Sequence, residues 1–387
     1  MGVFYSSALT TVSLISIFLL ALITGAYDKT AILSDRIYLP LTLVFLVVLV
    51  SGFYSEDLDS WQTAVRVKLP FLICPLAFLL YPKLGERFSI EIHYWLIGSS
   101  VVVGLPVIFG ILRDVSSATE LISIGQSVAT PIEHVKYSMT VAYASVSAWI
   151  LYYHDRGLTS PLRYMVIGAM IFLVMLLHMM AVRTGLAIFY ISMGALSIFY
   201  LSQKSRRLVG GMMIMGSILL LMIAITTVAP LKQKIGYMRY DWQQHQEGHG
   251  ALYSDSERLL SYKAGIAVLK SSPLIGVGYG DVRTAVVDYY REIADRPDLD
   301  KLPHSQFITY LAGAGIIGSI LWLFGIYKPL YWSIKKRKGI HLYLITLLYL
   351  NYSLSFLVEN SLDRSMSVAF LLLLLLPLLK TDLQPKD

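Results

Sequence analysis

Residues 161–200 read PLRYMVIGAMIFLVMLLHMMAVRTGLAIFYISMGALSIFY and carry only two formal charges, Arg163 and Arg183. About 20 apolar residues cross a hydrocarbon core as a helix, so this stretch is too long for one span. The natural break is Ala181–Gly185, where a charge meets a turn-forming glycine. Two consecutive spans make the chain polytopic. The composition agrees: 387 residues, 56% hydrophobic and 15% charged, with mean hydropathy +0.63. Soluble domains carry roughly 45–50% apolar and about 25% charged residues. A soluble enzyme, a secreted disulfide scaffold and a nucleic-acid-binding domain are therefore excluded. The expected fold is an all-α polytopic membrane protein.

Apolar windows place eleven spans near 8–26, 37–54, 69–82, 92–112, 136–153, 161–181, 185–201, 208–229, 306–330, 341–357 and 366–379, and the expected total is about 11–12. The third is short enough to be re-entrant. The first lacks a basic leader and a clear cleavage site, so it reads as a retained span. Most Tyr and Trp residues read as interfacial belts or packing. One alternating set of loops holds Lys29, Arg36, Lys83, Arg87, Arg156, Arg163, Lys204, Arg206, Arg207, the Lys335–Lys338 block, Lys380 and Lys386, fifteen basic residues. The opposite short loops hold six: Arg66, Lys68, Arg113, Lys136, Arg183 and Arg364. The positive-inside rule makes the first set cytoplasmic, and it explains the net charge of +7 without any nucleic acid. Cys74 is the single cysteine, so no internal disulfide and no thiolate metal site can form, and its apolar setting suits a buried core residue.

Three regions follow: an N-terminal transmembrane bundle (1–229), a long outer loop (230–305), and C-terminal spans with a short cytoplasmic tail (306–387). The loop is too long for a plain connection. Ser254-Asp-Ser-Glu257 fits a capping box, with Ser254 as N-cap. A helix with one apolar side (Leu259, Leu260, Lys263, Ile266, Ala267, Leu269) should follow and end before Pro273, and a second should run from Asp281 to about Ala294. The loop is expected to be folded.

The same topology gathers Arg183, Arg258, His304, Glu359, Asn360 and Arg364 on the outer side, with Arg66, Lys68 and His134 in other outer loops. Arg66 and Arg364 also suit snorkelling anchors at span ends. Arg183 is odder, because a tight turn between spans has no need of a guanidinium. Arg258 opens a helix, where a cation is unfavourable unless something else wants it there. His93, His154, His245, His249 and His341 read as structural, and His245 with His249 lacks a metalloprotease arrangement. His178 lies inside a span, where an ionisable group raises a functional question. Pro273 to Gly280 contains Gly276, Gly278 and Gly280 without a preceding strand, so it is no dinucleotide fingerprint. It is either a helix C-cap and connector or backbone packed on a polar ligand.

Arg183-Thr-Gly185 at a span start, Glu257-Arg258 before a helix, Pro273…Gly276-Val-Gly278-Tyr-Gly280, and His304-Ser-Gln…Tyr310-Leu…Gly313-Ala-Gly315, in that order, resemble the O-antigen ligase and polymerase superfamily. The resembling block runs over 183–318. Members often have Asn after the histidine, where this chain has Ser305. The resemblance implies a C-type membrane glycosyltransferase of the bacterial inner membrane with its active site at the periplasmic face. The donor would be a glycan on undecaprenyl diphosphate. The acceptor would be a lipid A core hydroxyl for a ligase, another carrier-linked repeat for a polymerase, or a protein hydroxyl for an O-oligosaccharyltransferase. Inversion, independence of metal and absence of a cofactor are implied as well.

The chemistry of the residues agrees. Arginine forks match phosphate oxygens bidentately, so Arg183 and Arg258 suit the diphosphate leaving group. A histidine ionises near neutrality, so His304 suits the base that takes a proton from the acceptor hydroxyl. Apolar grooves between the outer halves of the spans would hold the prenyl chain, with membrane lipids around them. Supporting roles fall to Arg66, Lys68, His134, Gly276, Gly278, Gly280, Glu359 and Arg364. The competing class is a transporter or flippase of lipid-linked sugars, which calls for internal repeats and discontinuous midplane spans. No convincing repeat is visible in the sequence.

Overall fold

The computed structural model describes residues 36–80, 84–246 and 254–381, with isolated helical positions 12, 13, 16, 19 and 23. Most of the first expected span (8–26) lies outside the described residues, as do Lys29, Lys83, His249 and Lys386. Among the described residues the chain is helical throughout, without a β-strand. A 3-10 turn at Arg36–Leu41 leads into α1 (Thr42–Ser51), followed by α2 (Leu58–Lys68), α3 (Pro70–Leu80), α4 (Glu86–Arg113) and α5 (Val115–Ser123). The centre of the chain holds α6 (His134–His154), α7 (Ser160–Met180), α8 (Arg183–Ser202) and α9 (Arg207–Thr227). The insertion contributes α10 (Ala229–Gln246), α11 (Ser254–Ser271) and α12 (Val282–Glu292); α13 (Gln306–Lys336), α14 (Gly339–Val358) and α15 (Ser365–Lys380) complete the chain.

Seven of the described helices are long and apolar enough to cross a membrane, and two shorter apolar helices, Ile37–Ser51 and Ser365–Lys380, accompany them. The chain is an all-α, multi-pass membrane protein. Its centre is α6, where nearly every residue from Val135 to Leu151 is buried against α4, α7, α8 and α14. Small residues on α6 (Ser138, Ala142, Ala144, Ser145, Ala148) let the neighbouring helices close in, the usual device where lipid removes the hydrophobic drive.

Several local expectations need correction. The break at 181–185 is real, but Ala181 is the left-handed residue (φ 51°), and Gly185 lies inside α8. A Cβ on Gly185 would come within 2.5–2.8 Å of Ser138, so this glycine serves close packing on α6. The third span starts earlier than its apolar run: residues Leu58–Leu80 form one 23-residue candidate span. Charges at Arg66 and Lys68 masked its first half, yet Lys68 is buried and paired with Asp363.

The insertion holds the two expected helices, and α10 as a third, unforeseen one. The Ser254 side chain of the expected capping box lies outside the described set; the Glu257 carboxylate is held by Lys301 at 2.6 Å and Arg296 at 3.5 Å. Nor does α11 bury Leu259 and Ile266. Its buried stripe is Ser261, Ala264, Gly265 and Val268, small residues that draw it onto Pro303 and Ile308. Large apolar side chains would hold the helix away from that surface.

Helix α13 is interrupted at Gly315 (φ 62°, ψ −168°), a conformation essentially restricted to glycine. The freed backbone groups find partners in the Pro273–Gly278 loop. Val277 and Gly278 N–H donate to Ala312 and Gly313 C=O at 2.9 and 3.1 Å. Ile316 and Ile317 N–H donate to Pro273 and Leu274 C=O at 2.9 and 3.1 Å. Backbone left open inside a span must be satisfied by protein, and here the insertion satisfies it. The glycine run is therefore a connector: Gly276 (φ 74°) lies against the Ala312–Ala314 backbone, Gly278 against Ser55, and Gly280 against Asp57 and Trp61. Asp281 completes the joint by accepting from Glu56 and Asp57 N–H at 2.8 and 2.7 Å.

Candidate active site

His304 stands between the insertion and the first residue of α13, and three segments hold it. From α11, Ser261 Oγ accepts the His304 backbone N–H at 3.1 Å. From the 359–364 segment, Asn360 Nδ2 donates to Pro303 C=O at 2.7 Å, and Thr309 Oγ1 donates to Asn360 Oδ1 at 2.9 Å. Ser305 Oγ donates to Phe356 C=O at 3.0 Å. Arg258 precedes Ser261 by three residues, one helical turn, so the packing that fixes His304 also brings this guanidinium to it. Glu359, the C-cap of α14, faces the imidazole with Oε1 4.0 Å from Nδ1.

The electrostatics tie these groups together. Burial pushes His304 below its ordinary value, the Arg258 and Lys301 charges add to that, and Glu257 and Glu133 oppose it. Glu359 is raised, first by burial and then by Glu133, against Arg258, Lys136 and Arg364. Burial alone would raise Glu133 too, but the hydrogen bond and charge of Lys136 reverse the direction, so its carboxyl sits below the usual range. One cluster thus contains His304, Arg258, Glu359 and Glu133 with Lys136, Arg364, Glu257 and Lys301 around it.

Among the other candidates, Arg183 is half-buried at the start of α8, where Gly185 presses on Ser138 of α6. His134 opens α6 beside Glu133. Arg364 is exposed at the rim and Arg66 is exposed on α2. Lys68 belongs to a second, buried polar group. It pairs with Asp363, and its ammonium lies 4.6 Å from the Tyr279 ring centre. Tyr279 donates to Asp363 at 2.8 Å, while Gln306 accepts Leu362 N–H at 2.7 Å and reaches Tyr279 and Asp363. This group anchors the 359–364 segment to α2, α13 and the glycine loop.

Sequence reading missed Glu133, Ser261, Tyr279, Gln306 and Asp363 as members of these clusters. Tyr279 and Gln306 stand inside quoted motifs but were not singled out, and the contacts that join the five to the clusters run between segments at least 27 residues apart. His178 has partners in Tyr190 Oη (2.7 Å) and Val174 C=O (2.7 Å), and His93, His154 and His341 are bonded to Tyr143, Tyr200 and Ser89. The His245 side chain lies outside the described set. Among the described residues no group of three or more His, Cys, Asp or Glu is placed to hold a metal ion.

An almost wholly apolar cavity of about 640 Å³ opens among α6, α7, α8 and α9. It extends from Trp149 and Val209 to His178, Thr227 and Val228, at the end of the bundle where Arg183 begins α8.

Residues 141–323 match the family described as O-antigen ligase. This segment, just under half of the chain, is similar to the O-antigen ligase superfamily. That similarity supports a membrane glycosyltransferase of the ligase and polymerase type in general. The matched segment contains Arg183, Arg258 and His304, whereas Lys68, Glu133, Glu359 and Asp363 lie outside it. No curated protein matches the chain.

Proposed function

We propose that the chain is an O-antigen ligase, transferring O-antigen polysaccharide from undecaprenyl diphosphate to a sugar hydroxyl of the lipid A core at the periplasmic face of the bacterial inner membrane. The observation that carries the reading is the clamp of α11 over His304, which sets a guanidinium beside an imidazole at one end of a membrane bundle. The acceptor oxygen attacks the anomeric carbon while the bond from that carbon to the phosphate oxygen breaks. The bonding pair leaves with the diphosphate, whose growing charge Arg258 and Arg183 stabilise. The acceptor proton goes to His304, and its lowered basicity keeps the imidazole free to accept it at neutral pH. Attack opposite the leaving group inverts the anomeric centre.

The apolar cavity supports the same reading. A groove across the hydrocarbon zone, reaching His178 and Thr227 at the end of the bundle where α8 begins, suits a polyprenyl chain whose diphosphate would meet the arginines. A polymerase would use the same donor chemistry with a carrier-linked acceptor. Reconstituting the purified chain in proteoliposomes with an undecaprenyl-diphosphate glycan and lipid A core tests the class. Covalent transfer is expected, whereas translocation with the donor intact would make the protein a transporter.

A further inference from the structure

We propose that Glu359 shares the proton taken from the acceptor, so that the working base is the His304–Glu359 pair rather than the imidazole alone. The inference rests on the proposed role of His304 and assigns Glu359 as its positioning and proton-sharing partner. Three observations carry it.

The first is placement. Glu359 Oε1 lies 4.0 Å from His304 Nδ1, and the side chains are only 15% and 30% exposed. That distance is ion-pair range, and a small side-chain rotation closes it to a hydrogen bond; unliganded sites are often loose in this way. The second is fixation from both sides. Glu359 N–H donates to Ser355 C=O at 2.8 Å, the next residue, Asn360, is tied to Pro303 and Thr309, and His304 N–H is tied to Ser261. Two segments more than 50 residues apart are thus locked together at the point where carboxylate and imidazole meet.

The third is the surroundings. His304 is faced by Glu257 and Arg258 from α11, by Lys301 of its own segment and by Glu133 before α6. Glu359 is faced by Glu133, Arg258, Lys136 and Arg364. Burial disfavours a lone imidazolium and a lone carboxylate here, and one proton held between the two relieves both.

The competent pair carries no shared proton: neutral imidazole beside carboxylate. The acceptor O–H proton passes to Nε2 as the oxygen bonds the anomeric carbon, and the electron pair of the broken bond leaves on the diphosphate. The proton on Nδ1 then faces the Glu359 carboxylate, which stabilises the imidazolium or takes that proton outright. The two groups titrate as a pair.

On this proposal the Glu359 carboxylate raises the pH at which His304 becomes protonated, and Glu359→Gln removes that help. Burial, Arg258 and Lys301 then lower His304 against Glu257 and Glu133 alone. The acid limb of kcat/KM should move to lower pH by about one unit or more, and the plateau should fall because the base is weaker. Glu359→Asp, one methylene shorter, should leave the limb between those of wild type and Gln. Binding of the undecaprenyl-diphosphate glycan should not change. The assay uses full-length protein in proteoliposomes with this donor and lipid A core, and His304→Ala runs in parallel. A wild-type limb and plateau in Glu359→Gln, with His304→Ala inactive, overturns the pair and leaves the proposed function standing. An active His304→Ala overturns both. If Glu359→Gln fails to accumulate in the membrane, Glu359→Asp decides: a displaced limb supports the pair, and an unmoved limb overturns it.

Discussion

Arg258 and Ser261 share one face of α11, so a single turn of helix supplies the positive charge and holds the backbone of His304. Lysine at 258 keeps the charge and loses the planar fork. Arg258→Lys should lower turnover by roughly 10²–10³-fold, comparable to the loss of one transition-state donor. Donor affinity should fall as well, because the diphosphate is charged before and during reaction; titration of the labelled donor against purified protein checks it. Arg183→Lys should behave likewise if both guanidinia meet the diphosphate. Arg258 and His304, which the fold brings together, stood out in the sequence as candidates beside Arg183, because cations and a lone histidine are unusual where spans meet a folded loop. Glu133 was not. An acidic residue before a helix is unremarkable until the fold sets it beside Glu359 and Lys136.

At the scale of elements, two joints hold the insertion and the 359–364 segment in place. Gly315 has room for no side chain, since a Cβ there would lie 2.4–2.5 Å from the Leu274 and Ile275 backbone. Gly315→Ala should cost about 1–3 kcal/mol in backbone strain alone, read as a lower midpoint in thermal unfolding of the detergent-solubilised protein. Lys68 is fully enclosed beside Asp363. Lys68→Met leaves a buried carboxylate without its cation and should destabilise by about 3–5 kcal/mol, while Lys68→Met combined with Asp363→Leu should recover much of that loss. The same denaturation assay compares them. Apolar periodicity revealed most helices and both expected helices of the insertion. It failed where charge is buried in pairs, as at Lys68, and where small residues rather than large ones make the contact, as on α11.

For the whole molecule, the central expectation is that one end of the bundle works outside the cytoplasm. Single cysteines at Arg183 and Asn360, introduced into a Cys74-free chain, should react with an impermeant reagent from the periplasm, and one at Lys336 only from the cytoplasm. The reverse pattern would divide the proposed site from its substrates. A deletion strain should show lipid A core without polymer while carrier-linked polymer accumulates; a core bearing one repeat unit would assign a polymerase instead. With arginines supplying the counter-charge, transfer should persist in excess EDTA, and activity lost on chelation and restored by magnesium would contradict that division of labour. The class of fold was plain in residues 161–200, but the convergence of α11, α13 and the 359–364 segment was not, because it depends on Gly265, Ser261 and Asn360 meeting across the chain. The most direct measurement pairs single-turnover glycan transfer with donor binding for His304→Ala in proteoliposomes, at matched protein level. The account predicts that transfer collapses by about 10²–10⁴-fold while the undecaprenyl-diphosphate glycan still binds. Normal transfer by that variant would contradict it.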